Sequence, residues 1–148
     1  MELYSDAYFM NEALKEAQKA YDADEVPVGA VIVANNRIIA RAHNLTERLN
    51  DVTAHAEIQV ITAAANAIGG KYLTDCTLYV TLEPCPMCAG ALHWTHISRI
   101  VYGAGDVKRG FTVISSNLLH PKTQVIHGIL EQECGSLLKH FFLSKRKS

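Results

Sequence analysis

No stretch of this 148-residue chain approaches the roughly 18 consecutive apolar residues of a membrane span. Residues 1–6 carry acidic side chains where a secretory leader has a basic segment ahead of an apolar one. A cytoplasmic protein with no membrane partner is therefore expected. Internal repeats and low-complexity segments are missing too, and 49% apolar with 20% charged residues is globular composition, neither disordered nor fibrous. The length suits a single domain over residues 1–148, enough to bury an ordinary core. There are only four cysteines, and in a reducing compartment they argue for metal ligation or burial over disulfide bonds.

Net charge is also nearly absent, at −1, but its distribution is uneven. Six Lys or Arg stand against twelve Asp or Glu in residues 1–98, and eight against three in residues 99–148, so −6 is followed by +5. The basic residues of the last third are Arg99, Lys108, Arg109, Lys122, Lys139, Lys145, Arg146 and Lys147. One-sided charge of this kind suits phosphate binding. A solvated tail with ordinary surface lysines is the alternative.

What is present, in a telling order, is His55, Glu57, Cys85 and Cys88, within Ala54-His55-Ala56-Glu57 and Glu83-Pro84-Cys85-Pro86-Met87-Cys88. One neutral imidazole and two thiolates leave the fourth position of a tetrahedral zinc ion open, which distinguishes a catalytic from a structural centre. Zinc lowers the pKa of a water at such a position from near 16 to roughly 7. Glu57 is then the carboxylate that carries protons, and one zinc per chain is expected. His-x-Glu followed by Pro-Cys-x-x-Cys resembles the signature of zinc-dependent nucleobase deaminases. A redox pair would account for Cys85 and Cys88 but not for His55 and Glu57. A structural site would need a fourth ligand from Cys76, Cys134, His93 or His96, none of which has paired spacing with His55, Cys85 or Cys88. His93 and His96 are one turn apart and could share a metal of their own; Cys76 and Cys134 read as packed small residues.

Ser5 or Asp6 can cap a helix over about 6–20, whose apolar positions Phe9, Ala13, Ala17 and Tyr21 recur one turn apart. An apolar run at 28–33, the turn formers Asn35-Asn36 and Ile38-Ile39 read as a hairpin. A polar loop, 44–51, leads to a helix capped by Thr53 and stopped by Gly69-Gly70. A strand at 77–81 runs into Pro84 and Pro86, which open a third helix through Trp94; strand resumes at 97–102. Val125-Ile126 can add a last strand, and Cys134, Leu137, Leu138, Phe141 and Phe142 mark a final amphipathic helix over about 131–142. The alternation predicts a three-layer α/β/α domain with helices on both faces of a largely parallel sheet, and both central helix N-termini aimed at the metal.

With these residues in place, the chain is similar to the bacterial tRNA adenosine deaminases of the cytidine-deaminase-like superfamily. The similarity runs through Glu25-Val26-Pro27-Val28-Gly29-Ala30, Asn44, Ala54-His55-Ala56-Glu57-Ile58, Leu78-Tyr79-Val80-Thr81-Leu82-Glu83-Pro84-Cys85 and Met87-Cys88-Ala89-Gly90-Ala91. It continues through His120-Pro121, Gly128-Ile129-Leu130, Glu133-Cys134 and Phe141-Phe142. The resemblance implies a five-stranded mixed sheet, a homodimer with active sites near the subunit interface, and deamination of the wobble adenosine of a tRNA anticodon to inosine. It also implies that His55, Cys85 and Cys88 hold Zn2+, that Glu57 shuttles protons, that Asn44 hydrogen-bonds a flipped base, and that Val28 and the Ala56 backbone line its pocket. Asp106 and Lys108 are implied RNA-loop contacts, with an exposed turn as their alternative; loop capping is the alternative for Asn44. Two features depart from the pattern: Pro86 and Trp94 resemble the guanine deaminases, and Gly105 stands where the tRNA enzymes commonly have a basic residue. The rival expectations are a small-molecule deaminase acting on guanine, cytosine or a nucleoside, and a non-catalytic, zinc-stabilised RNA-binding subunit.

Overall fold

The computed structural model describes residues 2–146; Met1, Lys147 and Ser148, and with them one position of the basic tail, lie outside the described residues. Helix α1 (Asp6–Asp22) precedes a hairpin of β1 (Gly29–Ala34) and β2 (Arg37–His43). Helix α2 (Ala56–Ile68), β3 (Thr77–Leu82), α3 (Pro86–Thr95) and β4 (Arg99–Ala104) follow. Two short 3-10 turns, Phe111–Val113 and Ser116–Leu118, lead to β5 (Gln124–His127) and α4 (Glu131–Arg146).

The five strands lie in the order β2-β1-β3-β4-β5. β1 is antiparallel to both β2 and β3, while β3–β4 and β4–β5 are parallel. The expectation of a largely parallel sheet therefore fails in the pairings, half of which are antiparallel, and the mixed sheet implied by the resemblance is what forms. The hairpin is responsible: Asn35 and Asn36 adopt φ of 51° and 59°, the left-handed turn that Asn tolerates, and β1 is inserted in reverse between β2 and β3.

Successive strand residues point to opposite faces, so each central strand feeds two apolar layers. Ala30, Ile32, Leu78, Val80 and Ile100 pack with Val60 and Ala64 of α2 and Leu92 of α3. Val31, Val33, Tyr79 and Val101 pack with Phe9, Met10 and Ala13 of α1 and with Cys134 of α4. Cys76 and Cys134 are buried in these layers, and burial pushes both thiols up, Cys134 to about 12. Ser5 caps α1 by accepting from Tyr8 N at 3.0 Å. Asp6 accepts from both guanidinium nitrogens of Arg99, at 3.3 and 3.0 Å, and from Tyr79 Oη at 2.7 Å. One charge of the basic C-terminal third is thus engaged inside the fold.

The N-terminal end of β1 lies so close to α1 that Gly29 has no room for a side chain: a Cβ would stand 2.2 Å from Ala13 O and 2.3 Å from Ala17 N. Backbone atoms cannot retreat as a side chain can, so Gly29→Ala is expected to destabilise the protein by about 3 kcal/mol or more. A lowered midpoint of urea unfolding measures this; an unchanged midpoint would mean that α1 shifts without cost.

Candidate metal centre and active site

His55 and Cys85 are both N-cap residues, of α2 and α3, with extended backbones (ψ 154° and 168°) that turn each side chain across the start of its helix. Pro86 opens α3 with the φ that a first helical residue needs, and Cys88 follows one turn on. Thr53 does not cap α2, contrary to expectation: its N–H and hydroxyl both donate to Asp51 Oδ1, at 2.8 and 2.7 Å. The Ala56 N–H at the helix start is satisfied from twelve residues away by Asn44 Oδ1, at 2.8 Å. Gln59 fastens the same end, donating to His43 O at 2.7 Å and Ala54 O at 3.1 Å.

Cys85 Sγ and Cys88 Sγ lie 3.6 and 3.4 Å from His55 Nδ1, and all three donor atoms fall within 4.8 Å of one another. Zinc bonds of about 2.0 Å to nitrogen and 2.3 Å to sulfur at a tetrahedral angle require an N–S separation of about 3.5 Å. The residues fit the ion, through Nδ1 of the imidazole. Among the described residues no other group of three such side chains converges in this way. His93 and His96 instead meet a third imidazole, His120, with ring centroids 5.7 and 4.6 Å away, and His96 also stacks on Tyr72.

A hydrogen bond from Cys88 holds the Cys85 thiol down to about 4, while donating that bond and being buried push Cys88 well above the usual thiol range. Both would have to be thiolates to hold a zinc ion, so binding of the ion would release protons. Glu57 is 4% exposed, and burial pushes its carboxyl up to about 7, against the attraction of His55.

His55, Glu57 and Cys85 open on a cavity of 540 Å³, with Cys88 fully buried behind them. Val26, Val28, Asn44 and Thr46 line it, as do Asp106, Lys108 and Arg109. Leu138, Phe142 and Arg146 reach it from α4, which runs one turn beyond its expected end. Asp106 Oδ1 also accepts from Lys108 N and Arg109 N, at 3.1 and 3.0 Å, so it shapes the turn that presents both cations. Ala56 is not brought to the cavity wall; it is fully buried, with its N–H engaged by Asn44.

Sequence reasoning missed two buried carboxylates. Glu25 accepts from Glu47 N and Arg48 N at 3.0 and 2.8 Å, and Glu83 from Asp106 N, Thr112 N and Thr112 Oγ1. Each ties down a loop on one side of the cavity. The one available signal was an acid beside an apolar strand end, in Glu25-Val26-Pro27 and Leu82-Glu83-Pro84.

One zinc per chain is expected in the purified protein, and Cys88→Ser is expected to lose nearly all of it. Zinc affinity should fall as pH falls, because protons compete for the ligands. Elemental analysis of both proteins checks the assignment, and equal zinc in the two would remove it.

Residues 3–104 match the family model described as the cytidine and deoxycytidylate deaminase zinc-binding region. The chain is 49% identical over 147 residues to the tRNA-specific adenosine deaminase of Bacillus subtilis, covering 96% of this chain and 91% of that protein. It superposes with a TM-score of 0.82 on a structure from studies of A-to-I editing by tRNA:A34 deaminases at the wobble position of transfer RNA, 46% identical, covering 88% of this chain and 99% of the other. The guanine deaminase of Bacillus subtilis is also similar, at 36% identity and a TM-score of 0.65, over 74% of this chain and 68% of that one. The chain belongs to the zinc-binding cytidine and deoxycytidylate deaminase family, among its tRNA-specific adenosine deaminases.

Proposed function

We propose that this chain, as a single deaminase domain over residues 1–148, hydrolyses adenosine at the wobble position of a tRNA anticodon to inosine and ammonia. The observation that carries the chemistry is the buried Glu57 beside the convergent His55, Cys85 and Cys88 at the floor of one cavity. The tRNA substrate is supported by the relatives' activity and by the cations at the rim.

His55, Cys85 and Cys88 would hold the zinc ion, which when bound would supply the Lewis acidity that makes water a nucleophile near neutral pH. Glu57, buried beside that ligand set, would accept a proton from the attacking water and deliver protons to N1 of adenine and to the departing amine, so that a C6–O bond forms as the C6–N bond breaks and ammonia leaves. Buried at the floor of the cavity, its carboxyl is placed to exchange protons in both directions. With Oδ1 engaged by Ala56 N, the carboxamide of Asn44 is oriented to offer Nδ2 to the base. The Ala56 backbone thus acts on the substrate through Asn44. Val28 and Val26 supply an apolar wall, and the half-exposed ring of Phe142 offers a stacking face for a splayed nucleotide. Lys108, Arg109 and Arg146 stand where the RNA backbone would approach, with Asp106 as a loop contact.

A free-base deaminase is the weaker reading. The two residues that resemble guanine deaminases do not line the cavity: Pro86 starts α3 and Trp94 is 73% exposed. A purely structural zinc subunit has no use for a buried Glu57. The reading includes a homodimer, supported by apolar side chains left exposed on the layer of α2 and α3, Met87 and Trp94 among them. It also includes a cytoplasmic location, where tRNA is; no helix of the described residues is long and apolar enough to cross a membrane.

Inosine assayed in bulk tRNA, beside ammonia release from guanine, cytosine and adenosine, tests the substrate; rapid turnover of a free base with no inosine in any tRNA would overturn it. Glu57→Ala is expected to keep its zinc and its fold while kcat falls by roughly 10²- to 10⁴-fold. Turnover near that of the unmodified protein would exclude Glu57 as the proton carrier. Deleting Lys145, Arg146 and Lys147 is expected to weaken tRNA binding and to flatten its logarithmic salt dependence by up to about 0.7 per lost contact. An anticodon stem-loop at high concentration should still be deaminated, and an unchanged salt slope would place the phosphate contacts elsewhere.

A further inference from the structure

The loop of residues 105–112 carries Asp106, Lys108 and Arg109 to the mouth of the cavity, yet little of it is held by apolar packing. Val107 is 90% exposed, and only Phe111, near its end, is a buried hydrophobic residue. Its anchor is polar. Glu83, 6% exposed, accepts Asp106 N on Oε1 at 3.0 Å, and Thr112 N and Oγ1 on Oε2 at 3.1 and 2.7 Å. One carboxylate thus grips both ends of the loop. Its own backbone is fixed from two sides: Glu83 N donates to Ala104 O at 2.8 Å, and Phe111 N donates to the adjacent Pro84 O at 2.9 Å.

Gly110 shows how closely the loop is seated. A Cβ there would lie 2.2 Å from Glu83 Cδ and Oε2. The carboxylate cannot swing aside without surrendering its three bonds. The chemistry of the grip is specific as well, because all three partners are donors and an amide would offer one acceptor and one opposing N–H in place of two oxygens.

We propose that Glu83 is a positioning residue: through its carboxylate it sets the 105–112 loop, and so the place of Lys108 and Arg109, relative to the metal ligand Cys85 two residues further along the chain. The role in RNA binding rests on the tRNA reading above; the grip on the loop does not. Glu83 thereby registers the rim that meets the RNA backbone against the floor where a base is deaminated.

The test uses the full-length zinc protein and Glu83→Gln, with Gly110→Ala as a second variant that disturbs the same contact from the loop side. Both are expected to keep one zinc per chain. Hydrogen exchange at the Asp106 and Thr112 amides should quicken by about tenfold or more, with α3 amides unchanged. KM for an anticodon stem-loop should rise by about tenfold while kcat stays within about threefold, the pattern of lost binding rather than lost chemistry. Lys108→Ala should weaken binding alone, and Glu83→Gln with Lys108→Ala should be little worse than either, since a displaced loop has already forfeited the Lys108 contact. Unaltered exchange at both amides in both variants would overturn the grip. Additive effects of Glu83→Gln and Lys108→Ala, or loss confined to kcat, would overturn the link to RNA binding. Absence of inosine with the unmodified protein would overturn the tRNA reading alone, and the exchange rates would still decide the role of Glu83.

Discussion

Two helices can aim their N-termini at one point only if the segments that feed them leave the sheet at the same edge, and the site depends on that constraint. β2 is antiparallel to β1, and β1 is antiparallel to β3, so β2 and β3 run in the same direction. The chain leaving β2 reaches α2, the chain leaving β3 reaches α3, and both helices begin beyond the same edge. His55 and Cys85 are the residues at which the backbone turns from extended to helical. The metal ligands are therefore set by sheet direction and helix capping, with Cys88 following from helical periodicity alone.

That edge gathers partial positive charge from two helix starts, which favours thiolates and an anionic nucleophile. It also holds carboxyl groups in contrasting circumstances. Glu57 is raised to about 7 chiefly by burial, beside the convergent metal ligands. Glu25 and Glu83 are equally buried but surrounded by N–H and O–H donors, which makes them internal ligands for loops. The same side chain at similar depth serves chemistry in one place and architecture in the others, and the hydrogen-bond partners decide which.

Much of this was legible in sequence wherever the determinant was local. The Asn35-Asn36 turn, the Ser5 cap, the stop at Gly69 with its φ of 74°, and Pro86 at the head of α3 each act within a few residues. His55, Cys85 and Cys88 were legible because few residue types bind zinc and their spacing is restrictive. Strand direction was not, since inserting β1 between β2 and β3 depends on pairings some fifty residues apart that no local pattern records. Thr53 has the composition of a cap but lost the role to Asn44, whose position relative to Ala56 exists only after β2 and α2 have packed. Glu25 and Glu83 were hidden for the same reason, their partners lying more than twenty residues away.

The molecule thus separates a floor from a rim. The floor, made of helix starts and central strands, is held by covalent sequence, capping and dense apolar packing, and it admits little variation: a Cβ at Gly29 already collides with α1. The rim consists of two loops and the end of α4, held by a few hydrogen bonds to buried carboxylates and by side chains left partly exposed, such as Phe142. Changes in the rim can alter which nucleotide carrier is bound without disturbing the metal ligands, whereas changes in the floor disturb both. Pro86 and Trp94, where the chain resembles the guanine deaminases, lie outside the cavity wall of their own chain, so within one chain it is the rim and not these two side chains that a base would meet.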